Sequence, residues 1–260
     1  MKVLITGGLG WLGKALSEQV STRHRVCAFD LERPDVERER SEFEGDVLYG
    51  SVTAYSEVLE AVEGQDAVIH AAVASTVTRG QYVDVTDTVP FDVNLRGTCN
   101  VLEAMRRQGV TRFIQIASAE THVEHPDGTF LDDSATYFGR PSYYDLTKCL
   151  QEQICRWFAH HYELDITLLR LGDIVDTAQG RSKHGEHSWN AAMAADSWID
   201  RYDVGKACLQ LLEQSGTGVG IYHLVGAPAA RERFDIDRTI AALQLSLTNE
   251  IDKRSASQRA

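Results

Sequence analysis

The chain has 260 residues, 43% of them hydrophobic, and a formal net charge of −12. This length and apolar content suffice for one sizeable core, or for a main domain with a small annex. The negative charge argues against a nucleic-acid partner and against binding to anionic membrane surfaces.

Predicted strands and helices alternate along the chain, which is typical of a parallel sheet covered by helices on both faces. The predicted strands lie near residues 2–6, 25–30, 46–49, 66–70, 112–117, 165–170 and 220–225. The predicted helices lie near residues 10–20, 55–63, 91–108, 142–162, 203–213 and 235–245. With right-handed crossovers, these elements predict a Rossmann-like, doubly wound α/β fold with a crevice at the carboxyl ends of the strands.

A glycine-rich turn, TGGLGWLG at residues 6–13, follows the first predicted strand. Gly7 permits a tight turn, Gly10 lets backbone N–H groups approach a diphosphate, and Gly13 permits close packing of the next helix. The anion then lies at the positive end of the helix dipole, beside the backbone of Trp11 and Leu12. The turn therefore predicts a dinucleotide site, although many strand-to-helix turns use glycine for geometry alone.

Asp30 ends the second predicted strand, about 20 residues after the glycines, where an acid bonds the ribose hydroxyls of adenosine. A carboxylate there repels a 2′-phosphate, so it favours NAD over NADP. Arg33, three residues later, can pair with such a phosphate and moderate that preference. The alternative is that Asp30 is an ordinary loop acid.

Tyr144 and Lys148 lie one helical turn apart, so their side chains share one helix face. A free tyrosine has a pKa of about 10, and a nearby ammonium lowers it toward the range of a general base. Ser118 follows the strand predicted at 112–117, where its hydroxyl can hold a substrate oxygen or simply cap a turn. Asn94 can bond a backbone carbonyl or a water, or remain a solvated helix residue. Together the residues predict nicotinamide redox chemistry.

The order of these motifs resembles the extended short-chain dehydrogenase/reductases, the NAD-dependent epimerase/dehydratase group, over nearly all of residues 1–250. The resemblance implies that Tyr144 is the general acid or base, that Lys148 also bonds the nicotinamide ribose, and that Ser118 orients the reacting oxygen. It further implies that the pair Asp46-Val47 lies near adenine. The predicted cofactor-binding residues are Gly7, Gly10, Trp11, Leu12, Asp30, Asp46, Val47, Ala71, Ala72, Asn94, Tyr144 and Lys148.

Two departures from the family pattern favour a small substrate. The sixth strand leads into residues 172–176, GDIVD, instead of the asparagine and Gly-Pro turn of members that bind nucleotide sugars. Dehydratases carry an acid pair just after the position of Ser118, and here only the second residue of Ala119-Glu120 is acidic. The residues predicted to contact the substrate are Val73, Ser75, Ser118, Glu120 and Gly172.

Residues 1–171 are predicted to form the NAD-binding core. In the mixed segment 172–260, residues 203–225 and 235–245 complete the sheet, while 172–202 and 226–234 form a small substrate-binding annex. We predict an NAD-dependent oxidoreductase that acts on a sugar, a sugar acid or a polyol. The alternatives are a sugar epimerase that retains its NAD and a dinucleotide-sensing protein without turnover.

The remaining expectations concern metals, partners and location. His122, His125, His184 and His187 form two His-x-x-His spacings without an evident third ligand, so no metal site is predicted. An apolar face of the Tyr144 helix, with Leu146, Leu150, Ile154, Trp157 and Phe158, packs within the monomer or, as in this family, in a homodimer. Five widely spaced cysteines and the lack of a leader or an apolar span predict a cytoplasmic protein without membrane contact.

Overall fold

A computed structural model describes residues 1–32, 43, 45–74, 77–78, 81–82, 88–122, 124–126, 128–135, 137, 139–182, 197–214, 216 and 218–248. The strands are β1 (Lys2–Thr6), β2 (Arg25–Asp30), β3 (Asp46–Tyr49), β4 (Ala67–His70), β5 (Val77–Thr78), β6 (Gln81–Tyr82), β7 (Arg112–Ser118), β8 (Asp165–Leu171), β9 (Asp173–Asp176), β10 (Arg181–Ser182), β11 (Trp198–Asp200) and β12 (Val219–Leu224). The α-helices are α1 (Trp11–Val20), α2 (Tyr55–Val62), α3 (Gly97–Gln108), α4 (Tyr143–Tyr162), α5 (Arg201–Glu213) and α6 (Ile236–Leu243). A π-helix at Phe91–Arg96 precedes α3, and 3-10 helices lie at Ala119–His122 and Pro228–Glu232.

Seven strands form the central sheet in the order β12-β8-β7-β4-β1-β2-β3, and every neighbouring pair is parallel. The direction of winding reverses between β1 and β4. The carboxyl ends of these two strands therefore border the crevice in which doubly wound sheets bind their ligands. The predicted fold class is confirmed.

The core has one layer of side chains on each face of the sheet. Alternate residues of β1 point to opposite faces, so Val3 and Ile5 pack against α1, α5 and α6, whereas Leu4 packs against α2, α3 and α4. Because both faces are covered, the central strands are apolar along almost their whole length. Both ends of the helix that carries Tyr144 are fixed locally: the Ser142 hydroxyl accepts the N–H of Asp145, and Glu163 ends the helix in the left-handed conformation.

A small second sheet, β10-β9-β11, lies beyond the end of β8. It packs against the segment after β12, and Leu131 and Phe234 join by an isolated parallel bridge. Apart from Leu131, these elements fall within the sequence predicted as the annex, and the division of the chain at residue 172 stays a prediction. No helix in the part of the chain that the structure describes is long and apolar enough to cross a membrane.

Candidate active site

The glycine turn after β1 leaves no room for side chains where it meets the rest of the sheet edge. Gly7 has a φ of +68°, its N–H bonds Phe29 O at 2.8 Å, and a Cβ on it would lie 2.9 Å from Ala72 N. A Cβ on Gly13 would overlap Gly7 O. Gly10 precedes α1 in an extended conformation. The turn thus brings backbone to a helix N-terminus, the geometry that a diphosphate requires.

Asp30 is buried at the end of β2 and holds the glycine turn. One carboxylate oxygen accepts the N–H of Leu9 at 3.1 Å and the other accepts the N–H of Leu31 at 2.8 Å. The acid is therefore tied to the loop that would surround a dinucleotide. Its assignment to ribose stays a prediction, and Arg33 lies outside the described residues.

Asp46 lies at the start of β3, and its placement beside adenine stays a prediction. Asp46 is the first residue of β3, pairs in register with Cys27, and forms an exposed salt bridge with Arg25 at 3.0 Å. The carboxyl end of β3 lies three residues further on, about 10 Å away at the usual rise of a strand. Val47 lies under the turn, in a small cluster with Leu9.

Residues 50–52, not Asp46 and Val47, follow the carboxyl end of β3. Gly50 N–H bonds Asp30 O at 2.9 Å, and the Asn100 side chain donates to Val52 O at 2.9 Å. Gly97 lets this segment approach, because a Cβ there would lie 2.7 Å from Val52 Cγ2. This segment was not singled out from the sequence.

Ala71 and Ala72 continue from β4 along the glycine turn, and Asn94 fixes the residues that follow them. The Asn94 side chain accepts the N–H of Ala74 at 2.8 Å, donates to Ala74 O at 3.0 Å, and donates to Thr147 Oγ1 at 2.9 Å. Asn94 is fully buried within the π-helix, a distortion that is frequent at functional sites. Its direct contact with a cofactor stays a prediction.

Tyr144, Lys148 and Ser118 come from α4 and the end of β7. Lys148 Nζ lies 5.9 Å from the centre of the Tyr144 ring and donates to Ile116 O at 2.9 Å, two residues before Ser118. Ser118 is buried at the last position of β7, opposite Leu171 of β8. The sheet edge thus brings all three predicted catalytic residues to one end of the molecule.

Lys148 is an ammonium in a buried site. Burial lowers its pKa to about 8, whereas the negative charge of Glu152, one turn along α4, acts in the opposite direction. Glu152 is itself paired with Arg170 at 2.8 and 3.0 Å, and neither side chain is exposed. At neutral pH Lys148 remains a cation beside the Tyr144 ring, in a region of low dielectric where that charge acts strongly.

The predicted substrate contacts have different outcomes. Val73 is exposed just after β4, beside the glycine turn. Gly172 is buried, and a Cβ there would overlap Ser197 O, so this glycine lets two backbones approach, while its contact with substrate stays a prediction. Ser75 and the side chain of Glu120 lie outside what the structure describes.

Arg201 joins the annex to the glycine turn. Its guanidinium pairs with Asp176 at 2.8 Å, donates to Trp11 O at 3.2 Å, and lies 4.2 Å from the centre of the Trp11 ring. Arg181 lies 4.8 Å from the same ring. Sequence reasoning missed both arginines, because a stack on Trp11 leaves no pattern in the sequence.

His122 is a buried core residue. It bonds Thr121 Oγ1 at 2.8 Å and stacks with His125 at 6.0 Å between ring centres. Burial lowers its pKa to about 4, so it is neutral at physiological pH. In the described parts of the chain, no three His, Cys, Asp or Glu side chains form a group that could hold a metal, and His184 and His187 lie outside those parts.

Comparison with known proteins agrees with the motif order. The NAD dependent epimerase/dehydratase family matches residues 3–211. The chain belongs to this family. The predicted resemblance is therefore confirmed, and NAD is the cofactor of the family.

Three relatives show how near the known members are. L-arabinose 1-dehydrogenase (NAD(P)(+)) of Haloferax volcanii is 24% identical, with 82% of this chain and 83% of that protein covered. Uronate dehydrogenase of Pseudomonas putida is 28% identical, with 89% and 77% covered. A solved uronate dehydrogenase variant from Agrobacterium tumefaciens, complexed with NAD, has a TM-score of 0.75 at 16% identity, with 100% and 89% covered. This structural likeness supports the fold.

Proposed function

We propose that the chain is an NAD-dependent dehydrogenase that oxidises a hydroxyl group of a small sugar or sugar acid. The observation that carries the proposal is the buried Lys148 ammonium beside the Tyr144 ring, anchored to β7 next to Ser118. Two curated relatives that cover most of the chain are named as dehydrogenases of L-arabinose and of uronate. Their names support the substrate class.

The residues present fit NAD. Gly7 and Gly13 let the backbone of the turn pack closely at the N-terminus of α1, where a Cβ would meet other backbone atoms, and buried Asp30 stands at the end of β2. In the proposal, the backbone of Trp11 and Leu12 holds the diphosphate, Asp30 holds the adenosine ribose, and Lys148 holds the nicotinamide ribose. When bound, NAD supplies the hydride acceptor for the oxidation.

The proton chemistry belongs to the side chains. Tyr144, as phenolate, accepts the proton of the substrate hydroxyl, and Ser118 holds the same oxygen by a hydrogen bond. The Lys148 cation favours the phenolate, because an opposite charge nearby stabilises the ionised form. In the reverse direction, Tyr144 returns the proton to the carbonyl oxygen. We place substrate recognition in residues 172–202 and 226–234.

The test is turnover measured by NADH absorbance with L-arabinose, galacturonate and glucuronate. Tyr144→Phe is expected to lower kcat by about 10²–10⁴-fold, the usual contribution of a positioned acid–base group. The matched control is Tyr143→Phe. Tyr143 is its neighbour on α4, meets Phe91 edge-to-face at 5.2 Å, and has no part in the mechanism. Equal loss in both variants would show that the phenol of Tyr144 is not the acid–base group.

Stoichiometry separates this proposal from the two alternatives. A dehydrogenase forms one NADH for each product molecule, whereas an epimerase isomerises the sugar with its NAD unchanged. A sensor binds NAD but shows no turnover with any substrate, and its biological effect survives Tyr144→Phe. Net NADH formation that Tyr144→Phe abolishes excludes both.

We also propose a homodimer formed through α4. Leu146, Leu150 and Trp157 form one stripe of this helix and are 45%, 37% and 51% exposed, whereas Phe158 packs in the core of the monomer. Replacing Trp157 with Glu is expected to shift the mass measured by light scattering from dimer to monomer.

A cytoplasmic location completes the proposal, because all five cysteines are free.

A further inference from the structure

A chain of buried polar side chains crosses the core between the glycine turn and α4. Its members, none more than 1% exposed, are Thr6, His70, Asn94, Thr98, Thr147 and Gln151. The proposed mechanism gives no task to His70 or Thr98. Polar groups buried this deeply are costly unless each is hydrogen-bonded, so the direction of each hydrogen bond is informative.

Thr98 is the branch point of this chain. Its hydroxyl donates to Asn94 O at 2.6 Å, a carbonyl that can only accept. A hydroxyl has one hydrogen, so Thr98 Oγ1 must accept from its other two partners. These are Gln151 Nε2 at 2.8 Å and His70 Nε2 at 3.2 Å. His70 Nε2 therefore carries a hydrogen.

The tautomer of His70 follows from this. Thr6 Oγ1 lies 2.7 Å from His70 Nδ1 and also accepts the N–H of Ala72 at 3.3 Å. With Nδ1 bare, the Thr6 hydroxyl donates to it, and the hydrogens of the Thr6 hydroxyl, the Thr98 hydroxyl and His70 Nε2 each have an acceptor. A protonated imidazole would instead present a second N–H to Thr6 and displace the Thr6 hydrogen from its acceptor. Burial and the charge of Lys148 lower the pKa of His70 to about 3, in agreement with the neutral form.

The two ends of the chain lie at the proposed site. At one end, Thr6 holds Ala72, whose N atom is the nearest obstacle to a side chain on Gly7. At the other end, Asn94 donates to Thr147 Oγ1, and Thr147 donates to the Tyr144 carbonyl at 2.9 Å. The hydrogen bond from the Thr98 hydroxyl to Asn94 O reaches back four residues, across the point where the π-helix ends and α3 begins.

We propose that His70 is a positioning residue, whose neutral Nε2–H tautomer joins Thr6 to Thr98 and thereby fixes α4 relative to the glycine turn. The inference deepens the proposed function and rests on it, because the residues that it places are Tyr144 and Lys148. His70 touches neither substrate nor cofactor in this role. It also remains uncharged, so that Lys148 is the cation that acts on Tyr144.

The first test is ¹⁵N NMR of the imidazole groups in the whole protein between pH 5.5 and 8, with His70→Gln to identify the signal. The expected result is a neutral ring with its hydrogen on Nε2 at every pH. A hydrogen on Nδ1, or a ring that titrates in this range, would overturn the proposal. The measurement needs no substrate, so its failure is distinct from a failure of the proposed dehydrogenase activity.

The second test is kinetic and uses Thr98→Val, which preserves shape and removes the hydroxyl. We expect kcat to fall by about 10- to 100-fold, the scale of a small misplacement of reacting groups, with a much smaller change in the Kd for NAD. Thr98→Ser restores the hydroxyl and is expected to recover most of kcat.

The matched control is Thr239→Val on α6. Thr239 is also fully buried, and its hydroxyl also donates to a carbonyl four residues earlier, that of Asp235 at 3.4 Å. Thr239→Val measures the general stability cost of losing a buried threonine hydroxyl bond. The melting temperatures of Thr98→Val and Thr239→Val compare that cost at the two positions. If Thr98→Val lowers kcat no more than Thr239→Val does, or if Thr98→Ser recovers nothing, His70 and Thr98 are merely structural.

Discussion

Glu152→Gln removes one charge from a pair that has no access to water. The carboxylate accepts Arg170 Nε at 3.0 Å, Arg170 Nη2 at 2.8 Å and the Tyr137 hydroxyl at 2.7 Å, and both charged side chains are 0% exposed. Glutamine keeps the shape but leaves the guanidinium without its anion. His223, 3.3 Å from Arg170, cannot supply the missing negative charge, because an imidazole is either neutral or cationic, and burial keeps this one neutral by lowering its pKa to about 3.

The expected cost is about 3–5 kcal/mol of unfolding free energy, the range for breaking a fully buried pair. For a chain of this size it corresponds to a fall in Tm of about 6–20 °C. Urea denaturation at pH 7 measures the free energy. The double variant Glu152→Gln/Arg170→Met is expected to lose less than the sum of the single variants, by about 1–3 kcal/mol.

Glu103→Gln is the matched control. Glu103 also meets two arginines, Arg106 at 2.7 Å and Arg107 at 2.8 Å, but these side chains are 28–55% exposed. Solvent screens the pair, so its loss is expected to cost no more than about 1 kcal/mol. If Glu152→Gln costs no more than Glu103→Gln, or if the double variant shows no coupling, the argument from burial is refuted.

Lys148 has a pKa of about 8 when folded and 10.5 by reference, so its burial costs stability below pH 8 and the cost disappears as the pH rises to 10.5. Lys148→Met is therefore expected to abolish turnover. It is also expected to raise the unfolding free energy at pH 7, measured by urea denaturation, on the order of 3 kcal/mol, with no increase near pH 10.5. His70, His122 and His223 have folded pKa values of about 3, 4 and 3, below the reference 6.5, so stability is lost as the pH falls below 6.5. Between pH 7.5 and 5.5 these three histidines are expected to lower the unfolding free energy by about 4 kcal/mol, because they gain protons only in the unfolded chain. An unchanged midpoint of urea denaturation would contradict this. Gly13→Ala places a methyl group against Gly7 O, and such overpacking costs about 1–3 kcal/mol. Because the turn must shift to relieve it, calorimetry is expected to show that the affinity for NAD falls by about tenfold or more.

Much of the fold was predictable because its signals are local. Strand β8, predicted at 165–170, spans Asp165–Leu171, and β2 was predicted at its observed bounds. Such strands are short apolar runs between polar turns, because both faces of a parallel sheet are buried. The single helix predicted at 91–108 is a π-helix followed by α3, since a change from i→i+4 to i→i+5 bonding leaves the apolar spacing nearly intact.

The candidate site was predictable only in part. The glycine turn and the pair Tyr144 and Lys148 could be predicted, because each depends only on the spacing of residues within one short segment. The prediction for Asp46 came from a motif pair alone, which does not record the end of the strand that it occupies, and the structure places Asp46 at the start of β3. The roles of His70 and Gly172 depend on partners far along the chain, and residue type alone does not reveal such pairings.

The guanidinium of Arg201 joins the proposed substrate annex to the glycine turn. One side chain braces the annex through Asp176 and the dinucleotide turn through Trp11. Specificity engineering that transplants an annex from another member must therefore carry this brace with it. A transplant that omits it would weaken cofactor retention even when every residue facing the new sugar is correct.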